Sequence, residues 1–174
     1  MSQEPVRLRP IEEADLDFLR RFDTDPSSRG PFLPSGFRSP RARRRRWEED
    51  GWLGDDSAQL AVVLPDDTLA GIVSWGSIKT GGPDLGCLEI GIMLFPEYRG
   101  QGLGTAAQRL LVQHLFATTL ANRVQAITDV ENIAEQRALE RVGFCREGVM
   151  RGLAFDGGPW HDAVLYARLR DDPS

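Results

Sequence analysis

Three glycines and an arginine lie where a predicted strand gives way to a predicted helix. Gly100, Gly102 and Gly104 follow directly on Arg99, and apolar residues recur at helical spacing over residues 102–120. Backbone N–H groups at the start of a helix, together with the positive end of its dipole, can bind an anion such as a phosphate. A side chain at these positions would hold phosphate oxygens away. The segment therefore predicts a diphosphate-binding loop to which Arg99 adds a full positive charge.

Two other phosphate-binding motifs compete with this interpretation. A P-loop needs a lysine after its last glycine, and this segment has none. Residues 102–107 do match the G-x-G-x-x-A pattern of dinucleotide-binding folds, and Asp129 ends the next strand. That fingerprint normally follows a strand directly, whereas residues 96–99 intervene here and no second mononucleotide-binding half follows. Nicotinamide dinucleotide binding stays open as an alternative, which a rise in the midpoint of thermal unfolding with NAD would support.

The composition limits the function classes further. The length of 174 residues suits one domain, predicted over residues 1–170 with a short polar tail at 171–174. A net charge of −5 does not favour stable nucleic-acid binding, and two cysteines with two histidines poorly supply a metal site. No apolar run approaches the ~20 residues that span a bilayer, and no secretory signal opens the chain. These features predict a cytoplasmic protein without a metal or a membrane segment.

The loop must be positioned by a mixed sheet with helices on both of its sides. Residues 24–40 are rich in proline and glycine and predict a long loop, after which Ser39 and Pro40 suit the start of a helix that ends near Gly51. The predicted strands are 6–8, 59–64, 68–78, 87–95, 123–129, 144–155 and 160–169, and the predicted helices are 12–22, 40–51, 102–120 and 133–142.

Residues 99–104, Arg-Gly-Gln-Gly-Leu-Gly, resemble the R/Q-x-x-G-x-G/A signature of the GNAT acyl-coenzyme A N-acyltransferases. Residues 6–15 are similar to the opening of the branch that includes ribosomal-protein N-terminal acetyltransferases, and residues 132–144 and 160–166 are similar to its later motifs. The resemblance covers nearly the whole chain. It implies an α/β fold of the mixed α+β type: a mostly antiparallel sheet of about seven strands, splayed between strands 87–95 and 123–129, with about four helices on both faces.

The resemblance implies acetyl-CoA or another acyl-CoA as the cosubstrate. The diphosphate would lie on the glycine loop, the pantetheine arm between the splayed strands, and the thioester carbonyl near strand amides. The residues assigned to the cosubstrate are Met93, Leu94, Arg99, Gly100, Gln101, Gly102, Leu103, Gly104, Thr105 and Asn132. Asn132 and Glu135 are also spaced as a helix-capping box, which needs no ligand, and both roles can hold.

Acyl transfer to an amine requires a base, because an alkylamine near neutral pH is mostly ammonium. Glu89 occupies the strand position where several family members carry a carboxylate for this step; a surface charge at the sheet edge is the alternative. Many members carry a tyrosine as the acid four residues before the Gly-Phe pair, where this chain has Leu139. Tyr166 is the predicted acid; Tyr98 and unaided departure of the thiol remain open.

These features together predict an N-acetyltransferase that acts by direct attack in a ternary complex. The acceptor would be a primary amine of a small molecule or of a protein N-terminus. A non-catalytic acyl-CoA-binding module is the alternative, because Leu139 replaces the usual acid. The arginines of residues 41–46, offset by the acids of residues 48–50, predict a solvated helix face, and His161 is a weaker candidate for acceptor contact. A homodimer is also considered.

Overall fold

The computed structural model describes residues 4–32, 39, 41–78, 86–155 and 158–173. Parts of the predicted loops, at positions 33–38, 40, 79–85 and 156–157, lie outside the described residues. The described strands are β1 Arg7–Arg9, β2 Ser57–Val63, β3 Leu69–Ser77, β4 Cys87–Leu94, β5 Arg123–Asp129, β6 Cys145–Phe155 and β7 Trp160–Leu169. The described helices are α1 Asp15–Leu19, α2 Arg21–Thr24, α3 Pro26–Arg29, α4 Ala42–Asp50, α5 Leu103–Thr118 and α6 Ile133–Val142, with a 3₁₀ helix at Pro96–Tyr98.

All seven described strands form one sheet in the order β1-β2-β3-β4-β5-β7-β6. Every neighbouring pair is antiparallel except β4 and β5, which run parallel. The helices α5 and α6 contact each other and pack on one face of the sheet. The helices α1 and α2 pack on the other face, which we call the front face. The predicted mixed fold, with seven mostly antiparallel strands between helices, is confirmed.

The long helix after the glycine loop forms because one of its sides is apolar. Its buried residues include Leu103, Ala107, Leu111 and Leu115, at the spacing that places them on one side of a helix. They pack against strand residues such as Val73 in the larger core cluster. This packing fixes the start of α5 beside the end of β4, which is where the chemistry was predicted.

The elements before β2 differ most from the prediction. The single helix predicted over 12–22 is divided into α1 and α2, and α3 adds a short turn within the predicted loop. The N-cap of α4 is Arg41 and not the predicted Ser39, although the Ser39 hydroxyl accepts a hydrogen bond from the Arg41 N–H at 3.3 Å, as a capping serine does. The Ser39 carbonyl does accept a hydrogen bond from the Ala42 N–H, so the chain is already turning there.

The arginine-rich helix α4 is less solvated than its sequence predicts. Arg43 is 8% exposed and forms an ion pair with Asp23 of α2. Arg46 donates to the carbonyl and hydroxyl oxygens of Ser57 at the start of β2. The charges of this helix therefore attach it to the front of the sheet. Within the part of the chain that the structure describes, no helix has the length and apolar character needed to cross a membrane.

Candidate active site

The strands β4 and β5 form a fork in the sheet. They pair only from Cys87 to Glu89 on β4 and from Arg123 to Gln125 on β5. Past that point β4 continues to Leu94 and remains paired with β3 alone. The predicted splay between these strands is thus observed, and it begins directly after Glu89.

The backbone pattern of β4 shows which amides face this gap. The Phe95 N–H donates to Ala70 of β3, and the Cys87 carbonyl accepts from Ile78 at the other end of the strand. Because backbone polar groups of an extended strand alternate sides, the even-numbered residues between them face the gap. Past the stretch that is paired with β5 they include Ile92 and Leu94, whereas the amide of Met93 faces β3. The alternation corrects the predicted role of Met93 and assigns the strand amides to Ile92 and Leu94.

The glycine loop lies at the open end of the fork. Gly100 and Gly102 have φ values of +71° and +78°, which L side chains rarely adopt, and a Cβ built on either has no neighbour within 4 Å. Gly102 is the N-cap of α5, and no side chain caps this helix. The first N–H groups of α5, including those of Gly104 and Thr105, have no partner inside the helix. The loop therefore presents backbone donors beside open space.

Arg99 and Gln101 are turned toward the protein. The Arg99 guanidinium donates through Nε to the Leu94 carbonyl, at 2.9 Å, and through Nη2 to the Ser28 carbonyl. Burial of the guanidinium lowers the pKa of Arg99. Gln101 donates from Nε2 to the Glu97 carbonyl at 2.8 Å. Both side chains fix the shape of the loop, and Arg99 keeps its positive charge next to it.

Glu89 lies on the front face at the base of the fork, where Gln125 donates from Nε2 to its Oε2 at 2.9 Å. The strand register places Ser57, Gly76 and Glu89 in one row across the sheet. Gln59, Ser74 and Gly91 form the next row. Because each row contains a glycine, the sheet has a cleft there of about 460 Å³, lined by both rows. We call this the front cleft.

The model of the acetyltransferase (GNAT) domain matches residues 6–145. The chain belongs to the GNAT acetyltransferase family. It is 33% identical to the putative ribosomal N-acetyltransferase YdaF of Bacillus subtilis over 63% of the chain, a match that spans 58% of that relative. It is 27% identical to the spermidine N(1)-acetyltransferase of Escherichia coli over 94% of the chain and 85% of that relative. A crystal structure of spermidine N-acetyltransferase from Vibrio cholerae superposes with a TM-score of 0.83 over 98% of each chain, at 18% identity.

The two tyrosines of this GNAT chain have different surroundings. Tyr166 is buried in the core on the α5–α6 side, where its hydroxyl donates to Glu140 Oε1 at 2.9 Å. Desolvation and the bond to Glu140 raise the pKa of Tyr166. Tyr98, in the 3₁₀ helix, packs against both core clusters. The hydroxyl of Tyr166 thus has a structural partner, which does not favour the predicted acid role. Leu139 is fully buried.

Asn132 begins α6 but forms only half of the predicted capping box. Its Oδ1 accepts from the Glu135 N–H at 3.3 Å, whereas the Glu135 side chain accepts from Gln108 of α5 at 2.9 Å. Burial raises the pKa of Glu135 to about 6. The Oε1 of Gln108 has no hydrogen-bond partner in the described structure. Sequence analysis missed this polar pair because only the packing of α5 on α6 brings the two side chains together.

The buried Glu135 predicts a stability that depends on pH. Its raised pKa means that the folded state binds the proton more tightly than the unfolded state does. The buried charge therefore destabilises the fold above pH ~6, and this destabilisation disappears as the pH falls toward ~4.5. Glu135→Gln should therefore increase the free energy of unfolding by about 2 kcal/mol near pH 7.5 and have little effect near pH 4.5. Urea unfolding at both pH values measures this difference. The exposed Glu131→Gln is the control, and an equal gain at both pH values would contradict the prediction.

Proposed function

We propose that the protein is an acetyl-CoA-dependent N-acetyltransferase that transfers the acetyl group to a primary amine by direct attack in a ternary complex. The observation that carries the proposal is the fork between β4 and β5. It brings an open strand edge, the donors of the glycine loop and the Glu89 carboxylate to one region of the sheet. An acyl-CoA needs the open strand edge and the donors of the glycine loop, and an amine acceptor needs the carboxylate.

The residues around the fork fit coenzyme A. The space beside Gly100 and Gly102, together with the backbone donors of Leu103, Gly104 and Thr105, suits a diphosphate. Arg99 and Gln101 contribute by holding the loop, and Arg99 also contributes its charge. Asn132 remains proposed for the pantetheine arm, since its Oδ1 caps α6 and its amide nitrogen is a further donor. When bound, acetyl-CoA supplies the thioester.

The residues of this chain accept a proton from the amine and stabilise an oxyanion. Glu89 accepts a proton from the amine, whose nitrogen then bonds to the thioester carbonyl carbon. The amides of Ile92 and Leu94 stabilise the negative charge that develops on the carbonyl oxygen. The C–S bond breaks, the nitrogen releases its remaining extra proton to solvent as the amide product forms, and the thiolate takes a proton from solvent. Since the pKa of an ordinary thiol is ~8.5, this departure needs no dedicated acid. Tyr166 therefore has no part in the proposed mechanism.

The front cleft is the proposed route for the acceptor. It lies beside Glu89, and its lining includes the hydroxyls of Ser57 and Ser74, the carboxylate of Asp56 and the buried Oε1 of Gln59. The described lining contains the carboxylates of Asp56 and Glu89, and Arg46 reaches its Ser57 from α4, so carboxylates outnumber this cation and favour a ligand that arrives as ammonium. The names of the relatives include both a spermidine and a ribosomal acetyltransferase, and we accordingly propose either a small amine or a protein N-terminus.

Filling the front cleft should weaken acceptor binding selectively. A Cβ on Gly91 would lie 3.0 Å from the Ser74 hydroxyl, and its φ does not require glycine. Gly91→Val should therefore raise the KM of the amine by about tenfold or more, the equivalent of ~1.4 kcal/mol. The Kd of coenzyme A should change by less than about twofold, because the cleft is outside the loop. Steady-state kinetics and calorimetry measure the two quantities, and a parallel loss of coenzyme A binding would contradict the assignment of the cleft.

A non-catalytic acyl-CoA-binding module is the second candidate. The observation that favours it is the tyrosine arrangement: Leu139 stands where many members carry the acid, and Tyr166 is bound to Glu140. We also propose one domain over residues 1–170 that works in the cytoplasm without a metal. A homodimer and the lack of stable nucleic-acid binding remain predictions.

The direct test is incubation of the purified protein with acetyl-CoA and a panel of amines, with free thiol and acetylated product as the readouts. The panel should contain alkylamines, di- and polyamines, and short peptides with free and blocked N-termini. Transfer to an unblocked amine supports the proposal. Saturable coenzyme A binding without transfer to any amine would favour the binding module. Stabilisation by NAD without binding of coenzyme A would overturn both candidates.

A further inference from the structure

Four side chains from β4, β5 and β6 form a continuous hydrogen-bonded row that ends on Glu89, and the contact between β5 and β6 reaches across β7. Glu147 of β6 accepts two hydrogen bonds from Arg123 of β5, at 2.8 and 2.6 Å. The Nε of Arg123 donates to Gln125 Oε1 at 3.2 Å. The other end of the Gln125 amide donates to Glu89 at 2.9 Å.

The orientation of the Gln125 amide follows from its neighbours. The thiol of Cys87 also donates to Oε1, at 3.5 Å. Arginine has no acceptor atom, so the amide oxygen must face Arg123 and the NH₂ group must face Glu89. The Arg123 guanidinium lowers the pKa of Glu147 through its hydrogen bonds, which keeps their ion pair charged. The donor side of Gln125 is therefore held toward Glu89.

The row ends at the base of the fork, where the proposed general base lies. Glu89 and Gln125 form the last register pair before β4 and β5 separate. The hydrogen bond uses Oε2 of Glu89 and fixes the plane of the carboxylate, which leaves Oε1 available for a proton from the amine. A base held in one orientation loses less entropy at the transition state than a freely rotating one.

We propose that Gln125 is a positioning residue for the general base and holds the Glu89 carboxylate toward the acceptor. Arg123 and Cys87 set the orientation of the Gln125 amide, and Glu147 holds Arg123 in turn. The inference rests on the proposed function, because it takes Glu89 to be the base. Other titratable or charged groups near the row are Asp56 at the front cleft and Arg46 of α4, which reaches Ser57.

A double-mutant cycle tests whether Gln125 acts through Glu89. Gln125→Leu should lower kcat about tenfold or more and leave the Kd of coenzyme A within about twofold. In the Glu89→Gln background the same substitution should have almost no further effect, since the group it positions is gone. Gln125→Asn should recover part of kcat, because it keeps the amide donor one methylene shorter. Gln113→Leu, at an exposed position of α5, is the control.

Three outcomes would overturn the proposal. An equal loss of kcat in both backgrounds would show a structural role at the fork, as would a parallel rise in the Kd of coenzyme A. A crystal structure of Gln125→Leu in which the Glu89 carboxylate keeps its place and order would do so without any activity measurement. If the wild-type protein acetylates no amine, the proposed function fails by itself, and the crystal structure still decides whether Gln125 holds Glu89.

Discussion

Replacing Gly100 and Gly102 together with asparagine is expected to lower kcat/KM for acetyl-CoA by about 10⁴-fold, more than any single change at the base. Both positions have positive φ, which asparagine tolerates better than other side chains. The new side chains would project into the open space beside the loop, where the diphosphate is proposed to lie. The loss should exceed that from Glu89 because positioning of bound reactants can supply ~7–11 kcal/mol. Calorimetric titration with coenzyme A and initial rates measure the effect.

Gly104→Ala is the matched control for the loop variant. Its Cβ would meet Leu94 and Ile92 at ordinary contact distances of 3.6 and 3.7 Å, and its φ is not positive. Alanine also favours the helix by about 1 kcal/mol over glycine. The expectation that a side chain at Gly104 holds phosphate oxygens away is corrected here, because this Cβ points toward β4 and the backbone N–H donor is kept. The control should therefore fold at least as well and keep most of its affinity for coenzyme A. If the double variant unfolds at the same temperature as the wild type and binds coenzyme A equally well, the loop assignment is wrong.

Glu89→Gln is expected to lower kcat by about 10²–10³-fold near neutral pH and to leave the Kd of coenzyme A unchanged. Glutamine keeps the shape of the side chain, but it cannot accept a proton from the ammonium form of the acceptor. The remaining rate should follow the fraction of free amine in solution, so the difference from wild type should narrow as the pH approaches the pKa of the amine. Rate profiles over pH with a single good acceptor measure this.

The matched control for Glu89 is Glu49→Gln, which removes an exposed carboxylate on α4. It should leave kcat and its pH profile unchanged. A Glu89→Gln enzyme whose rate at neutral pH stays within about twofold of wild type would exclude this residue as the base. The next group to test would then be His161, whose Nδ1 lies 3.6 Å from Asp129 Oδ2 at the end of β5.

Local patterns in the chain predicted much of the fold. Seven strands were expected and are observed, because alternating and continuous apolar runs such as residues 87–95 reflect burial in a sheet. A helix over residues 102–120 was expected from its apolar periodicity, and one is observed at Leu103–Thr118. The first helices were less predictable. A short turn such as α2 is held by contacts with distant residues, among them the ion pair of its Asp23 with Arg43.

The tertiary structure changed the interpretation of several individual residues. Tyr166 was predicted as an acid, but its hydroxyl donates to Glu140 across the α6 packing. Met93 was assigned to the cosubstrate, but the alternation of β4 turns its amide toward β3. In both cases the residue type was suitable, and the direction of the group depends on neighbours in other elements.

The sequence by itself determined the glycine loop, the strand before it and the helix after it, because turn chemistry and apolar periodicity are local properties of the chain. Only the tertiary structure decided what surrounds Glu89. Gln125, Gly76 and Gln59 come from three different strands, and the strand register sets which of them share a row. The physical reason is that register is a long-range property, fixed by the packing of the whole sheet between its helices.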